Sequence, residues 1–364
     1  IDFPDDAYDM VTSQWKAASK TSVFIDQLCY CRKLVKNNRS GQNILRYLLY
    51  SMDNVVIKSQ RNDSENSSIS NLYLQYGCLP FEEMPFFNAL IKHPPKLNSV
   101  FKCIPYYNRQ HEILARKIKI NTEVKGHLFT PLSELTSFSD IPGLVKRFKA
   151  ALYYKHRDRS KLVIDNKQIY INGYKEDTCN IIRELCELSK SGIPDYSDDV
   201  DLWLMLGEYE INCDEKKNIL MQMFAESRVA IIYGSAGVGK STLINHVAHY
   251  FEDKDKLFLA HTNPATDNLR RRIDADNSEF STIASFTKKN ILSTEYELLV
   301  IDECSTVSNE AMVAVLNKAK FKVLLLVGDT YQIDSIQFGN WFSAVQYFIN
   351  PKSVFELTKP YRTD

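Results

Sequence analysis

The sequence predicts an α/β protein: a doubly wound parallel sheet preceded by a mixed, mostly helical N-terminal region. After residue 228, short apolar runs that read as buried strands alternate with helical stretches. Glycine-rich or polar clusters directly follow these runs, which are 229–232, 257–260, 298–301 and 322–328. Because such folds bind ligands at the carboxyl ends of their strands, we expect the functional site at these clusters.

The N-terminal part carries a different pattern. Apolar residues recur at helical spacing between residues 7 and 58, which predicts helices. Residues 142–157 predict a helix with proline in its first turn, and residues 161–173 predict a β-hairpin that turns at Asp165-Asn166. We therefore predict three parts: a mostly helical domain (1–120), a small α+β segment with the hairpin and a linker (121–200), and an α/β domain (201–364).

Composition limits the partners and the compartment. Lys+Arg and Asp+Glu each number 45, so any surface for nucleic acid must be local. The eight cysteines form no C-x-x-C pair, which favours reduced thiols in a cytoplasmic protein. No apolar run approaches the roughly 20 residues that span a bilayer, so we expect no membrane partner. Residues 1–200 match no function and are the region that we leave available to protein partners.

The segment IIYGSAGVGKST (231–242) has the P-loop spacing G-x-x-x-x-G-K-[ST], between an apolar strand and a helical stretch. Glycines let the backbone curl around a phosphate, and the helix N-terminus adds positive potential. Lys240 is predicted to reach the β- and γ-phosphates of a nucleoside triphosphate, and Ser241 to ligate Mg²⁺. The predicted nucleotide-binding residues are Gly234, Ser235, Ala236, Gly237, Val238, Gly239, Lys240, Ser241 and Thr242.

Two further strand ends carry polar residues suited to phosphate chemistry. The run 298–301 leads into Asp302 and Glu303. An acidic residue after a buried strand near a P-loop is typical of the Walker B role, in which Asp302 would hold Mg²⁺. Glu303 would then orient and deprotonate the attacking water. Gln332, shortly after the run 322–328, is predicted to hydrogen-bond the γ-phosphate and to report its loss.

Five segments together resemble the motifs of superfamily 1 helicases, and within them the RecD-like 5′→3′ branch. LLVIDECSTVS resembles helicase motif II, and VGDTYQI resembles motif III. AHTNPATDNLRRR (260–272) is similar to motif Ia, which lies along single-stranded DNA, and STIASF (281–286) is similar to a second strand-contacting motif. LTKPYRTD (357–364) resembles motif IV. The resemblance covers about residues 211–364.

The resemblance implies a RecA-like ATPase domain of a DNA helicase, with ATP and Mg²⁺ as cofactors and single-stranded DNA as partner; the choice between DNA and RNA stays open. It implies that Arg362 reaches the γ-phosphate from the second domain. The implied catalytic residues are Lys240, Asp302, Glu303, Gln332 and Arg362. The implied strand contacts are Thr262, Asn263, Asp267, Asn268, Thr282 and Ser285. The arginines 270–272 would either neutralise strand phosphates or face solvent.

Departures from the family pattern qualify this implication. Glu215 and its neighbours stand where a glutamine usually reads adenine, so we predict weak selectivity for the base. Ala284 replaces the usual histidine, and residues 287–297 are too few for the strand-splitting hairpin of many relatives. The chain stops at motif IV, so we expect the first part of a longer helicase that alone binds nucleotide but turns over poorly. Two functions stay open: an ATP-driven motor on single strands, or a nucleotide-regulated switch or scaffold, for example in bacterial defence, that does not unwind.

Overall fold

The computed structural model describes residues 3–37, 45–46, 49, 65–66, 72–73, 106–207, 209–289, 295–329 and 338–359. These residues fall into two compact units. One unit comprises the described residues within Ile1–Asn121 and Phe129–Asn172, and the other those within Thr122–Leu128 and Gly173–Asp364. The predicted boundaries near residues 120 and 200 stay predictions.

The N-terminal region is mostly helical, as predicted. Its helices are α1 (Asp5–Ala18), α2 (Val23–Lys36), α3 (Gln110–Glu123), α4 (Ile141–Ala151) and α5 (Arg157–Ser160). The first two helices are joined by Arg32, whose guanidinium lies 3.9 Å from the ring centroid of Tyr8 and 2.6 Å from a carboxylate oxygen of Asp5. Two short strands, β1 (Glu65–Asn66) and β2 (Leu72–Tyr73), pair antiparallel.

The predicted hairpin is confirmed within a three-stranded antiparallel sheet. Its strands are β3 (Thr130–Pro131), β4 (Leu162–Asp165) and β5 (Gln168–Ile171), with β5 in the centre. Asp165 pairs with Gln168, so the turn consists of Asn166 and Lys167, one residue later than predicted. Both residues have positive φ (45° and 62°), as the favoured two-residue hairpin turn requires.

The helix predicted over 142–157 is shorter in the structure. The carboxylate of Asp140 caps the start of α4 by accepting a hydrogen bond from the Gly143 amide, and Pro142 lies in the first turn, as predicted. The helix ends at Ala151 because the backbone of Leu152 is extended (ψ 138°). Basic residues beyond that point therefore lie on separate elements rather than on one helical face.

The C-terminal unit is built on a six-stranded sheet in which every pairing is parallel. The strands are β6 (Val229–Gly234), β7 (Lys256–Ala260), β8 (Ser278–Thr282), β9 (Glu295–Ile301), β10 (Lys320–Gly328) and β11 (Val354–Leu357). Their spatial order is β11-β6-β10-β9-β7-β8. The helices are α6 (Asn172–Leu188), α7 (Tyr196–Leu206), α8 (Asp214–Gln222), α9 (Lys240–Tyr250), α10 (Asn263–Arg272), α11 (Ile283–Lys288), α12 (Asn309–Lys318) and α13 (Trp341–Val345).

Helices cover both faces of this sheet, which confirms the doubly wound architecture. Successive side chains of a strand point to opposite faces, and Leu298 and Leu299 of β9 accordingly belong to two different buried clusters. One cluster includes residues of α7, α8, α9 and α10, and the other includes residues of α6, α11, α12 and α13. Burial on both faces explains why the central strands are nearly continuous apolar runs. Among the described residues no helix combines the length and apolar character required to cross a membrane.

Candidate nucleotide-binding site

The loop between β6 and α9 has the backbone shape that its glycines predict. Gly237 and Gly239 adopt left-handed conformations, with φ of 86° and 84°. A Cβ on Gly234 would lie 2.7 Å from a methyl carbon of Val238, so glycine is required there by close approach. Gly239 is the N-cap of α9 and offers no side chain to the first amides of the helix. Amides at such an uncapped helix start can bind an anion.

The acidic pair lies at the end of β9, two strands away from the P-loop strand β6. The Asp302 amide donates to the carbonyl of Leu259 (2.9 Å), and a carboxylate oxygen of Asp302 accepts from the Glu303 amide (2.9 Å). Glu303 has a left-handed backbone, with φ of 54°. This conformation is rare for a residue other than glycine and is typical of active sites, where the surrounding structure holds the strain.

A cavity of about 580 Å³ brings the P-loop and the acidic pair together. It lies at the carboxyl ends of the strands, where the fold class predicts the site. Its walls are formed by Gly237, Gly239, Lys240, Ser241, Thr242, Asn245, Arg272, Asp302, Glu303, Gly328 and Asp329. Asn245 was not among the predicted site residues, and Arg272 was expected to neutralise strand phosphates or to face solvent. Asp329 directly follows β10 and occupies the acidic position of the segment that resembles motif III.

Charges within the cavity interact strongly. The Lys240 ammonium donates to the carbonyls of Gly234 (2.7 Å) and Ser235 (2.9 Å). Burial lowers the pKa of Lys240, although the carboxylates of the cavity oppose this effect. Burial also raises the pKa of Asp302 to about 6; the Glu303 carboxylate adds to the rise, whereas the Glu303 amide and the cations Lys240 and Arg272 oppose it.

Cys304 follows the acidic pair and is fully buried. Its thiol donates to the carbonyl of Ile301 (3.1 Å), and burial raises its pKa well above the ordinary value. A thiol held protonated in this way is a poor nucleophile.

The residues predicted to contact single-stranded DNA follow the ends of β7 and β8, which are neighbours in the sheet. Ala260 pairs with Thr282, so both strands end at the same edge. The hydroxyl of Thr262 accepts from the Ala265 amide (3.3 Å) and caps α10, and that of Thr282 accepts from the Ser285 amide (3.2 Å) and caps α11.

The other predicted contacts fall on exposed or half-buried positions of the same elements. Asn263, Asn268 and Ser285 are exposed, whereas Asp267 is half-buried and pairs with Arg270 at 2.9 Å. The remaining two predicted catalytic residues, Gln332 and Arg362, lie outside the described residues.

Glu215, at the position expected to read the base, is engaged elsewhere. Its carboxylate accepts hydrogen bonds from the Thr358 hydroxyl (2.8 Å), the Thr358 amide (3.0 Å) and the Lys359 amide (3.4 Å). Partial burial raises the pKa of Glu215, but these hydrogen bonds outweigh burial and the net pKa lies below the ordinary value. The side chain therefore links the start of α8 to the end of β11.

Comparison with known protein families gives a match over the same part of the chain. Residues 213–364 match the model of a family described as AAA domain. Together with the P-loop spacing of residues 234–241, this match makes the segment similar to an AAA-type P-loop ATPase domain. The recognition of such a domain from the sequence motifs is thereby confirmed. No curated protein matches the chain.

Solved helicase structures are also similar to parts of the chain. Pif1 from Bacteroides bound to ssDNA is 19% identical, over 43% of this chain and 44% of that one, with a TM-score of 0.28. Pif1 from Candida albicans is 22% identical, over 42% and 41%, with a TM-score of 0.27. The UvsW helicase from bacteriophage T4 is 16% identical, over 62% and 92%, with a TM-score of 0.36. The chain spans less than half the length of the two Pif1 proteins.

Proposed function

We propose that this chain carries the first ATPase domain of an ATP-dependent translocase or helicase on single-stranded DNA, moving 5′→3′. The observation that carries the proposal is the arrangement of one sheet edge. The uncapped P-loop helix and the acidic pair line one cavity there. The starts of α10 and α11, which carry exposed polar residues such as Asn263 and Ser285, follow the neighbouring strands β7 and β8. An ATP-driven motor on single-stranded DNA needs both a nucleotide site and a site for the DNA.

The chemistry assigned to the cavity is hydrolysis of the terminal phosphoanhydride bond. Lys240 would leave the loop carbonyls and neutralise charge on the β- and γ-phosphates. Glu303 would accept a proton from the attacking water, since a carboxylate beside the phosphate end of the cavity can act as a general base.

The residues present fit Mg²⁺. The hydroxyl of Ser241 and the carboxylate of Asp302 line the same cavity and are oxygen donors of the kind that Mg²⁺ prefers. We propose that these two residues hold the ion. When bound, Mg²⁺ would neutralise negative charge on the β- and γ-phosphates.

The single-stranded DNA would lie along the starts of helices α10 and α11. Asn263 and Asn268 are exposed amides that can donate to phosphate and sugar oxygens without reading the base. The proposal therefore predicts binding with little sequence preference.

The test is ATP hydrolysis by the full-length protein with and without a single-stranded oligonucleotide. A motor should hydrolyse ATP severalfold faster when the strand is present, and the double variant Asn263→Ala/Asn268→Ala should lose this stimulation but keep the basal rate. Hydrolysis that does not respond to DNA or RNA strands would contradict the motor. That result would favour the alternative, a nucleotide-regulated switch or scaffold that does not unwind.

A further inference from the structure

Three consecutive arginines end helix α10, but the structure gives them different surroundings. Arg270 donates to a carboxylate oxygen of Asp267 at 2.9 Å, and its guanidinium lies 5.7 Å from the ring centroid of Phe280. All three side chains are exposed, but Arg271 lies outside the cavity wall. Arg272 lines the nucleotide cavity, together with the P-loop and the acidic pair. The sequence presents the three as one basic run, whereas the fold assigns only Arg272 to the cavity.

Arg272 is available to a ligand. In the described part of the chain its side chain forms no ion pair or hydrogen bond, although the same cavity wall holds the carboxylates of Asp302, Glu303 and Asp329. Among the described residues of that wall, the other cation is Lys240, which already donates to two loop carbonyls. A guanidinium presents planar paired donors that match phosphate oxygens, and its charge is permanent.

The acidic pair defines which end of the nucleotide Arg272 would meet. Glu303 and Asp302 stand where the terminal phosphate and its ion are proposed to lie, and Arg272 lines the same cavity. The opposite end of the nucleotide, the base, carries no negative charge for a guanidinium to bind.

We propose that Arg272 contacts the γ-phosphate of the bound nucleoside triphosphate, so that this domain supplies an arginine to its own nucleotide. This inference rests on the proposed nucleotide function of the cavity. It names a residue that neither the P-loop spacing nor the strand-end pattern identifies. It also removes Arg272 from the residues available to neutralise a DNA strand.

The experiment compares the affinity of the 364-residue chain for a non-hydrolysable ATP analogue and for ADP, by displacement of a fluorescent nucleotide. Arg272→Ala should weaken binding of the analogue about tenfold, as expected for a lost charge-assisted hydrogen bond. The affinity for ADP should change less than about twofold, because ADP lacks the γ-phosphate. Arg272→Lys keeps the charge but loses the paired donors, so its loss should lie between wild type and Arg272→Ala.

Arg271→Ala is the matched control, since it removes the same side chain from the same helix turn outside the cavity. It should change neither affinity. Equal weakening for the analogue and ADP, or no weakening in Arg272→Ala, would overturn the γ-phosphate contact. If Lys240→Ala abolishes nucleotide binding in the same assay, the proposed nucleotide site is supported whether or not Arg272→Ala weakens binding of the analogue. If wild type binds neither nucleotide, the proposed function fails and the inference fails with it.

Discussion

Helices α9 and α10 both begin at the carboxyl edge of the same parallel sheet, but their first turns are built differently. Gly239, with φ of 84°, precedes α9 and leaves its first amides without a side-chain partner. Thr262 precedes α10, and its hydroxyl accepts the hydrogen bond of the Ala265 amide. Helices α11 and α12 are capped in the same way, by Thr282 and Ser308.

The difference teaches which helix start can bind a phosphate through its backbone. A capped start has already used an amide and a side chain on each other, whereas an uncapped start presents its amides and the positive end of its dipole to a ligand. We therefore assign the proposed nucleotide binding to α9. Single-stranded DNA at α10 and α11 would be held by exposed side chains such as Asn263 and Asn268, rather than by the helix backbone.

The largest effect should come from the lysine at the uncapped start. Lys240→Ala removes the cation that faces the phosphates and should weaken ATP binding by at least about 100-fold. The control is Asn263→Ala/Asn268→Ala at the capped start, which should leave ATP affinity unchanged. Fluorescent-nucleotide displacement on the 364-residue chain measures both. Equal losses in the two variants would show that the two helix starts do not divide the ligands as described.

The second effect separates binding from hydrolysis at the uncapped start. Glu303→Gln keeps the shape of the side chain, but an amide cannot accept the proton of the attacking water. Hydrolysis by the full-length protein should fall at least about 100-fold while ATP affinity stays near that of wild type. A variant that hydrolyses ATP at the normal rate would contradict the assignment of Glu303 as the base. Phosphate release and nucleotide displacement give the two measurements.

The central strands of this sheet could be predicted from the sequence because burial on both faces leaves an apolar run. The strands β6, β7, β9 and β10 were found in this way. By contrast, β8 reads SEFST, is half-buried along most of its length and lies at the sheet edge, and β11 has only four residues at the opposite edge. Edge strands exposed on one side lack the apolar run, so only their pairing identifies them.

Some residues of the candidate site could be predicted from local sequence motifs, whereas others reach the site only through tertiary packing. The P-loop and the pair Asp302-Glu303 are short contiguous motifs that each follow an apolar strand, so the predicted fold class indicated that they would meet. Arg272 and Asn245 enter the cavity because α9 and α10 pack side by side on one sheet face, which no local pattern encodes. The left-handed conformation of Glu303 was likewise not predictable, because glutamate has no preference for it.

At the capped start, a smaller and sequence-independent effect is expected. Asn263→Ala/Asn268→Ala should weaken the binding of single-stranded oligonucleotides by a similar factor for every sequence, since these amides would touch phosphate and sugar only. The slope of affinity against salt should stay the same, because no cation is removed. Fluorescence anisotropy at several salt concentrations tests this on the full-length protein. If the double variant binds every oligonucleotide as tightly as the wild type does, the single-stranded DNA lies elsewhere.

The base should matter less than the phosphates if the uncapped helix start carries nucleotide affinity. Glu215 is engaged with Thr358 and Lys359, so we predict that ATP and GTP bind with affinities within about tenfold of each other. Competition of each nucleotide against a fluorescent analogue measures the ratio, and Glu215→Ala should leave it unchanged. A hundredfold preference for ATP would show that other groups read the base. If a preference for ATP over GTP disappeared in Glu215→Ala, Glu215 would be the residue that recognises the base.

The smallest effect isolates the cap itself. Thr262→Ala deletes the hydroxyl that accepts from the Ala265 amide, and should lower the free energy of unfolding by about 1 kcal/mol. Thr262→Ser retains the hydroxyl and should lose much less. Because we expect no phosphate contact from the backbone of α10, ATP affinity should be the same in both variants.

Urea unfolding gives the stability change, and hydrogen exchange shows where it arises. Exchange should accelerate in the first turn of α10 and stay unchanged in the first turn of α9, which has no side-chain cap to lose. Unaltered exchange at Ala265 in Thr262→Ala would mean that the hydroxyl does not hold this amide. The start of α10 would then be as available to an anion as the start of α9, and the division of ligands between the two helices would lose its physical basis.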